Sequence, residues 1–173
     1  MTWTVPEVQR THAMAVGGER ETLQSWLDFH RATLLWKCRG LTAEQLKTRS
    51  VEPSAMSLLG LIRHMTEVEQ AWFRRRSAGQ EVRAPYSTAE HPDGDFDDLA
   101  EADPERDIAL FHTEIRLSDE AVATLPLEHT FVHPRSGARL SLRWVYQHMI
   151  EEYARHNGHA DLLRERIDGV TGD

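Results

Sequence analysis

Four stretches of this 173-residue chain place apolar residues three or four positions apart, and the breaks between them carry capping residues or glycines. That period belongs to α-helices with one buried face, so the chain has to pair those faces with one another. Residues 19–37 put Leu23, Trp26, Leu27, His30 and Leu34 on one face, and Gly40 ends the segment. "LTAEQL" then reads as a short capped turn, with Thr42 as cap and Gln45 three residues on, as in a capping box. A second helix spans 55–78 behind Pro53, with Ser54 or Ser57 as N-cap and a stripe of Leu61, His64 or Met65, Val68 and Trp72. Gly60 lies inside it, where glycine costs about 1 kcal/mol against alanine, and close contact is one explanation. Asp103-Pro104 starts a third helix that runs to about Thr124 with Ile108, Phe111, Ile115 and Val122 on one side. Ser141 caps a fourth, roughly 142–167, ending before Gly169.

The connections differ in character. Residues 80–103 break the period with Pro85, Pro92 and Gly94 among Asp93, Asp95, Asp97 and Asp98. As a calcium loop the run fails: its sixth position is Asp98 where glycine is needed, and its twelfth is Pro104 where glutamate is needed. It reads as an acidic, solvated connecting loop. "HTFVHPRSGARLS" carries a Ser-Gly turn between short extended pieces, a small hairpin. The expected architecture is all-α: one domain over residues 1–173, a four-helix bundle with a hairpin and an acidic loop, and residues 1–18 as an N-terminal extension.

Charge and cysteine usage narrow the function classes. The formal net charge is −8, which disfavours a partner bound through its phosphates, so no nucleic acid is expected. Arg74, Arg75 and Arg76 read as the solvated end of the second helix. Cys38, the single cysteine, excludes an internal disulfide and a thiolate-rich zinc site. No secretory signal is visible, and no stretch approaches the roughly 20 apolar residues that span a bilayer. A soluble protein of the reducing cytoplasm, with no membrane partner, is the expectation.

The fourth helix carries a polar interruption in its apolar seam. At about 100° per residue, His148, Glu152, His156 and His159 fall within about 80° of one another, in the sector that also holds Val145, Leu163 and Ile167. Carboxylates and imidazoles inside a bundle are costly unless paired or coordinated. Glu152 and His156, one turn apart, are spaced to reach one metal ion, and equally to form an intrahelical pair on the surface. A third ligand has to come from another helix. His64, between Leu61 and Val68, is the first candidate, and His30, between Leu27 and Leu34, the second. His30 and His112 also suit core histidines bonded to a neighbour. His148 and His159 are candidates to hydrogen-bond a ligand. Trp26, Trp72, Trp144 and Tyr153 are candidates to line a pocket or to fill the core, with Trp72 and Tyr153 taken as cofactor-binding candidates. Arg155 and Arg164 are candidates for a carboxylate-bearing ligand or plain surface charges, and Glu151 points away from the site.

"LLGLIRHMTEVEQAWF" in the second helix and "WVYQHMIEEYARHNGHADLLRERIDG" in the fourth resemble the DinB-like (YfiT-like) metalloenzyme superfamily. The resemblance runs from residue 19 to 169 and is closest to its actinobacterial branch, related to mycothiol-dependent maleylpyruvate isomerase and mycothiol S-transferases. It implies a four-helix bundle in down-up-up-down order with a divalent metal near one end of the core. Many members hold that metal with three histidines, and the isomerase branch puts glutamate in place of the first of the two on the fourth helix. On that pattern His64, Glu152 and His156 are the metal ligands.

The resemblance further implies an enzyme that transfers a low-molecular-weight thiol, mycothiol or a similar cosubstrate, to an electrophile by way of a metal-bound thiolate. A divalent ion lowers the pKa of a thiol or water that reaches it. Zinc, nickel, iron and manganese all suit two histidines and a carboxylate. Two other readings stay open: a hydrolase using metal-bound water with His159 or His148 moving protons, and a non-catalytic metal- or ligand-binding bundle in which one of those histidines completes the coordination. Bundles of this kind commonly form homodimers.

Overall fold

The computed structural model describes residues 2–172. The chain is mostly helical: α1 (Glu19–Cys38), α2 (Ala43–Lys47), α3 (Leu58–Glu69) continued by a π-helical segment (Gln70–Ser77), α4 (Gly94–Asp97), α5 (Pro104–Val122) and α6 (Leu142–Asp168). Strands β1 (Thr130–Val132) and β2 (Arg139–Ser141) form an antiparallel hairpin that pairs Phe131 with Leu140. Helix α1 packs on α6, α3 packs on α5, and α3 also meets α6. Leu27, Leu34, Leu61, Met65, Phe111 and Met149 are fully buried where these faces meet.

Side chains set the helix ends. The Ser57 hydroxyl accepts from Gly60 N, and the Asp103 carboxylate from Arg106 N. Thr42 and Gln45 form the reciprocal pair that starts α2. Gly169 closes α6 in the left-handed region, at φ 79°. The N-terminal segment joins the fold through Val5, which is buried and exchanges backbone hydrogen bonds with Gly40 and Leu41.

Two expectations need correction. The second helix is not one regular α-helix over 55–78: it starts at Leu58, and its pitch widens at Gln70. In the wider turns Ala78 N bonds to Phe73 O five residues back, which turns Trp72, Arg75 and Arg76 away from an ideal α-helical stripe. The acidic segment 80–103 is not simply a solvated connector either. Gly94, Asp95 and Leu99 are buried, and α4 sits on α3. Two residues of α3 hold the segment down. Glu67 accepts from the backbone N of Tyr86 and Ser87, both at 2.7 Å, and from the Ser87 hydroxyl at 2.6 Å. Arg63 pairs with Asp107 at 2.7 Å and donates to the Asp98 carbonyl.

Gly60 is where this strap touches the helix. A Cβ there would stand 2.6 Å from Phe96 Cδ1 and 3.2 Å from Ser57 Oγ. Gly60→Ala gains about 1 kcal/mol in helix propensity but overpacks a ring contact, typically about 1–3 kcal/mol. The expected net is a loss of about 1 kcal/mol in urea denaturation, with Phe96 displaced.

Candidate metal centre

Helices α3 and α6 bring residues far apart in sequence to one wall of an open cleft of about 910 Å³. His64 comes from the middle of α3, and its ring centroid lies 4.9 Å from that of His156 on α6. Glu152, one turn earlier on α6, has Oε2 3.5 Å from His156 Nε2 and Oε1 3.6 Å from His148 Nε2. All four side chains are half-buried. His159 Nδ1 lies 3.3 Å from His156 Nδ1, so one of these nitrogens donates to the other. Among the described residues, the three-residue group whose ligand atoms all lie within 4.8 Å is His148, Glu151 and Glu152. It shares Glu152 with the expected set, while His64 and His156 stand outside it.

The electrostatics suit ligation. Burial, and then the neighbouring His64, His159 and Arg155, push the His156 imidazole down from 6.5 to about 4, so it is neutral at pH 7. Burial also lowers His148 against the opposing pull of Glu152 and Glu151. A metal needs neutral imidazole, and both rings offer it.

Asp95 is a neighbour of the candidate site that reading the sequence missed. It is buried, and its Oδ2 accepts a 2.8 Å hydrogen bond from His64 Nδ1–H. The carboxylate accepts, so Nδ1 carries a hydrogen and the contact fixes the ring's orientation. Phe96 packs on the same ring at 5.2 Å. The signal was the spacing of Phe96 and Leu99 among the aspartates, which marks a docked turn rather than a solvated run. Asp95→Asn should weaken divalent-metal affinity about 10–100-fold, the usual cost of losing such a partner, as read by competition with a chromogenic chelator.

The remaining candidates divide. Trp72 lines the cleft and meets the His148 ring edge-on at 4.7 Å, and Trp144, 5.3 Å from Trp72, stacks on the same imidazole at 4.7 Å. Tyr153 does not line the cleft. It is fully buried and donates to Glu69 Oε1 at 2.8 Å, because position 153 turns about 100° from Glu152 into the core. His30 is half-buried and accepts from the Asn157 side chain through its carbonyl. His112 is exposed on α5 and is not a core histidine. Trp26 is exposed too, beside Phe29 and His30. Arg164 is spent on Asp168 and the carbonyls of Lys37 and Arg39, and Arg155 on Glu151. Cys38 is buried, which raises its thiol to about 12 and keeps it out of thiolate chemistry.

Comparison with known proteins gives one finding. A family model described as Mycothiol-S-transferase matches residues 22–169. No curated protein and no solved structure matches the chain.

Proposed function

The chain belongs to the mycothiol-S-transferase family, and on that footing we propose that it transfers a mycothiol-like thiol to an electrophile at a divalent-metal site held by His64, Glu152 and His156. The observation that carries the reading is the meeting of His64 and His156, their ring centroids 4.9 Å apart, with Glu152 against His156, where His64 and Glu152 line the cleft. The donor set suits such an ion in its chemistry: a neutral imidazole at His156, a carboxylate, and a second imidazole whose Nδ1 is held by Asp95. A bound divalent cation supplies a lowered thiol pKa at neutral pH. The protein's residues do the rest. Asp95 and His159 orient the two imidazoles, and the pair Trp72 and Trp144 packs on His148, one turn from Glu152. The proposed scaffold is a four-helix bundle in down-up-up-down order, with α1, α3, α5 and α6 as its helices. Two histidines and one carboxylate suit zinc, nickel, iron or manganese. No described helix is long and apolar enough to cross a membrane, and we place the protein in the cytoplasm, where free thiols persist.

The test is conjugate formation. Metal-loaded protein mixed with mycothiol and a chlorobimane dye should form the thioether much faster than the uncatalysed mixture, and chelation should remove the difference. Hydrolysis of esters or amides without thiol, and no conjugate, would replace this reading with that of a hydrolase.

A further inference from the structure

Arg75, Arg76, Arg83 and Arg135 line the same cleft as His64 and Glu152. None of the four has a hydrogen-bond or ion-pair partner among the described residues. Carboxylates are not scarce, since the net charge is −8. Elsewhere they are used: Arg31, Arg63, Arg74 and Arg164 are each held by one. The fold instead gathers three unpaired cations from two elements. The π-helical turn supplies Arg75 and Arg76, and the hairpin tip supplies Arg135, all three also walling an adjoining recess of about 470 Å³. Burial, and then the charges of Arg75 and Arg135, depress Arg76, the sign of like charges held close with no counter-charge.

The cluster is near the candidate centre. The Arg76 guanidinium lies 4.2 Å from the Trp72 ring centroid, Trp72 meets His148 at 4.7 Å, and His148 reaches Glu152 at 3.6 Å. One indole and one imidazole therefore separate this positive charge from a candidate metal ligand. A small molecule reacting at His64 and Glu152 can extend its far end to Arg76.

We propose that Arg76 and Arg135, with Arg75 beside them, bind an anionic group on the electrophile, so that the protein selects carboxylate-bearing electrophiles over neutral ones. The inference rests on the thiol-transfer reading above. A guanidinium takes a carboxylate in two parallel hydrogen bonds, and the half-buried position of Arg76 keeps that pairing from full solvent screening. The reaction itself is unchanged. The thiol sulfur bonds to the carbon bearing the leaving group, that group departs with the bonding electrons, and the thiol proton passes to solvent.

The experiment compares 4-chloro-3,5-dinitrobenzoate with its methyl ester, each with mycothiol, with kcat/KM divided by the uncatalysed rate. The carboxylate should be preferred about tenfold or more, and Arg76→Gln should lower that preference about tenfold, the size expected of one partly buried charge-assisted pair. Arg135→Gln should lower it in the same direction. Arg116→Gln, which removes an exposed arginine of α5 paired only with Glu120, should leave the preference in place. A preference near one, or one that Arg76→Gln does not change, overturns the proposal. So does an Arg76→Gln effect confined to the thiol KM and equal for both electrophiles, which would put the anion on the thiol. If no conjugate forms at all, the transferase reading fails, and calorimetry with 3,5-dinitrobenzoate against 3,5-dinitrobenzamide still decides on binding. Tighter binding of the carboxylate, lost in Arg76→Gln, sustains the anion site, and equal binding overturns it.

Discussion

Glu69→Ala should destabilise the protein by about 3–5 kcal/mol, the cost of breaking a buried ion pair from one side. Glu69 is fully buried on α3 and accepts from Arg31 Nε at 2.7 Å, from Arg31 Nη2 at 2.8 Å and from the Tyr153 hydroxyl at 2.8 Å. Removing it leaves two guanidinium donors and one phenol hydroxyl without partners away from water. Asp28 and Asp119 hold only the outer nitrogen of Arg31, so they do not replace it. The double variant Arg31→Met, Glu69→Met should recover most of the loss, since a buried pair exchanged for packed apolar side chains is often neutral. Urea denaturation of the two variants checks both halves, and equal losses in single and double variants would contradict the account. The site depends on this pair. Glu69 follows His64 by five residues, and Tyr153 adjoins Glu152, so the network fixes α3 against α6 directly behind the candidate centre.

His156→Ala and His64→Ala should each lower conjugate formation at least about a hundredfold while the fold survives. A Lewis-acidic ion supplies several kcal/mol of transition-state stabilisation, and a hundredfold is about 2.7 kcal/mol. Both residues are half-buried at the edge of the core, so truncation leaves little cavity. Circular dichroism of the variants separates loss of the site from loss of the fold. His159→Ala, which removes only a partner of His156, should cost less than either ligand variant.

Much of the helical layout was legible because period and caps are local properties. Ser57, Asp103-Pro104, Ser141 and Gly169 each sit where a helix of the structure begins or ends. The meeting of Glu152 with His156 followed from one turn of α6, and the stripe of α3 made His64 a first candidate beside His30, of which the structure brings His64 to His156. What sequence could not give was tertiary. Asp95 looked like one more solvated aspartate until Glu67 and Arg63 pinned its segment over His64. Tyr153 looked like a cleft residue because a helical wheel does not say which partner fills the next sector, and that partner is Glu69. Arg75 and Arg76 were hidden in a run read as a solvated helix end, and Arg135 in the hairpin. Only the π-helical widening and the hairpin tip bring Arg75, Arg76 and Arg135 to one place.

The central claim is that His64, Glu152 and His156 hold one divalent ion. Its most direct test is elemental analysis of protein purified without an affinity tag, supplemented with metal and then dialysed. The account predicts about one ion per chain in the parent. His64→Ala and His156→Ala should carry far less, and His148→Ala should keep it. A parent protein without stoichiometric metal would contradict the claim. So would metal kept by His156→Ala and lost by His148→Ala, which would move the ion to His148, Glu151 and Glu152.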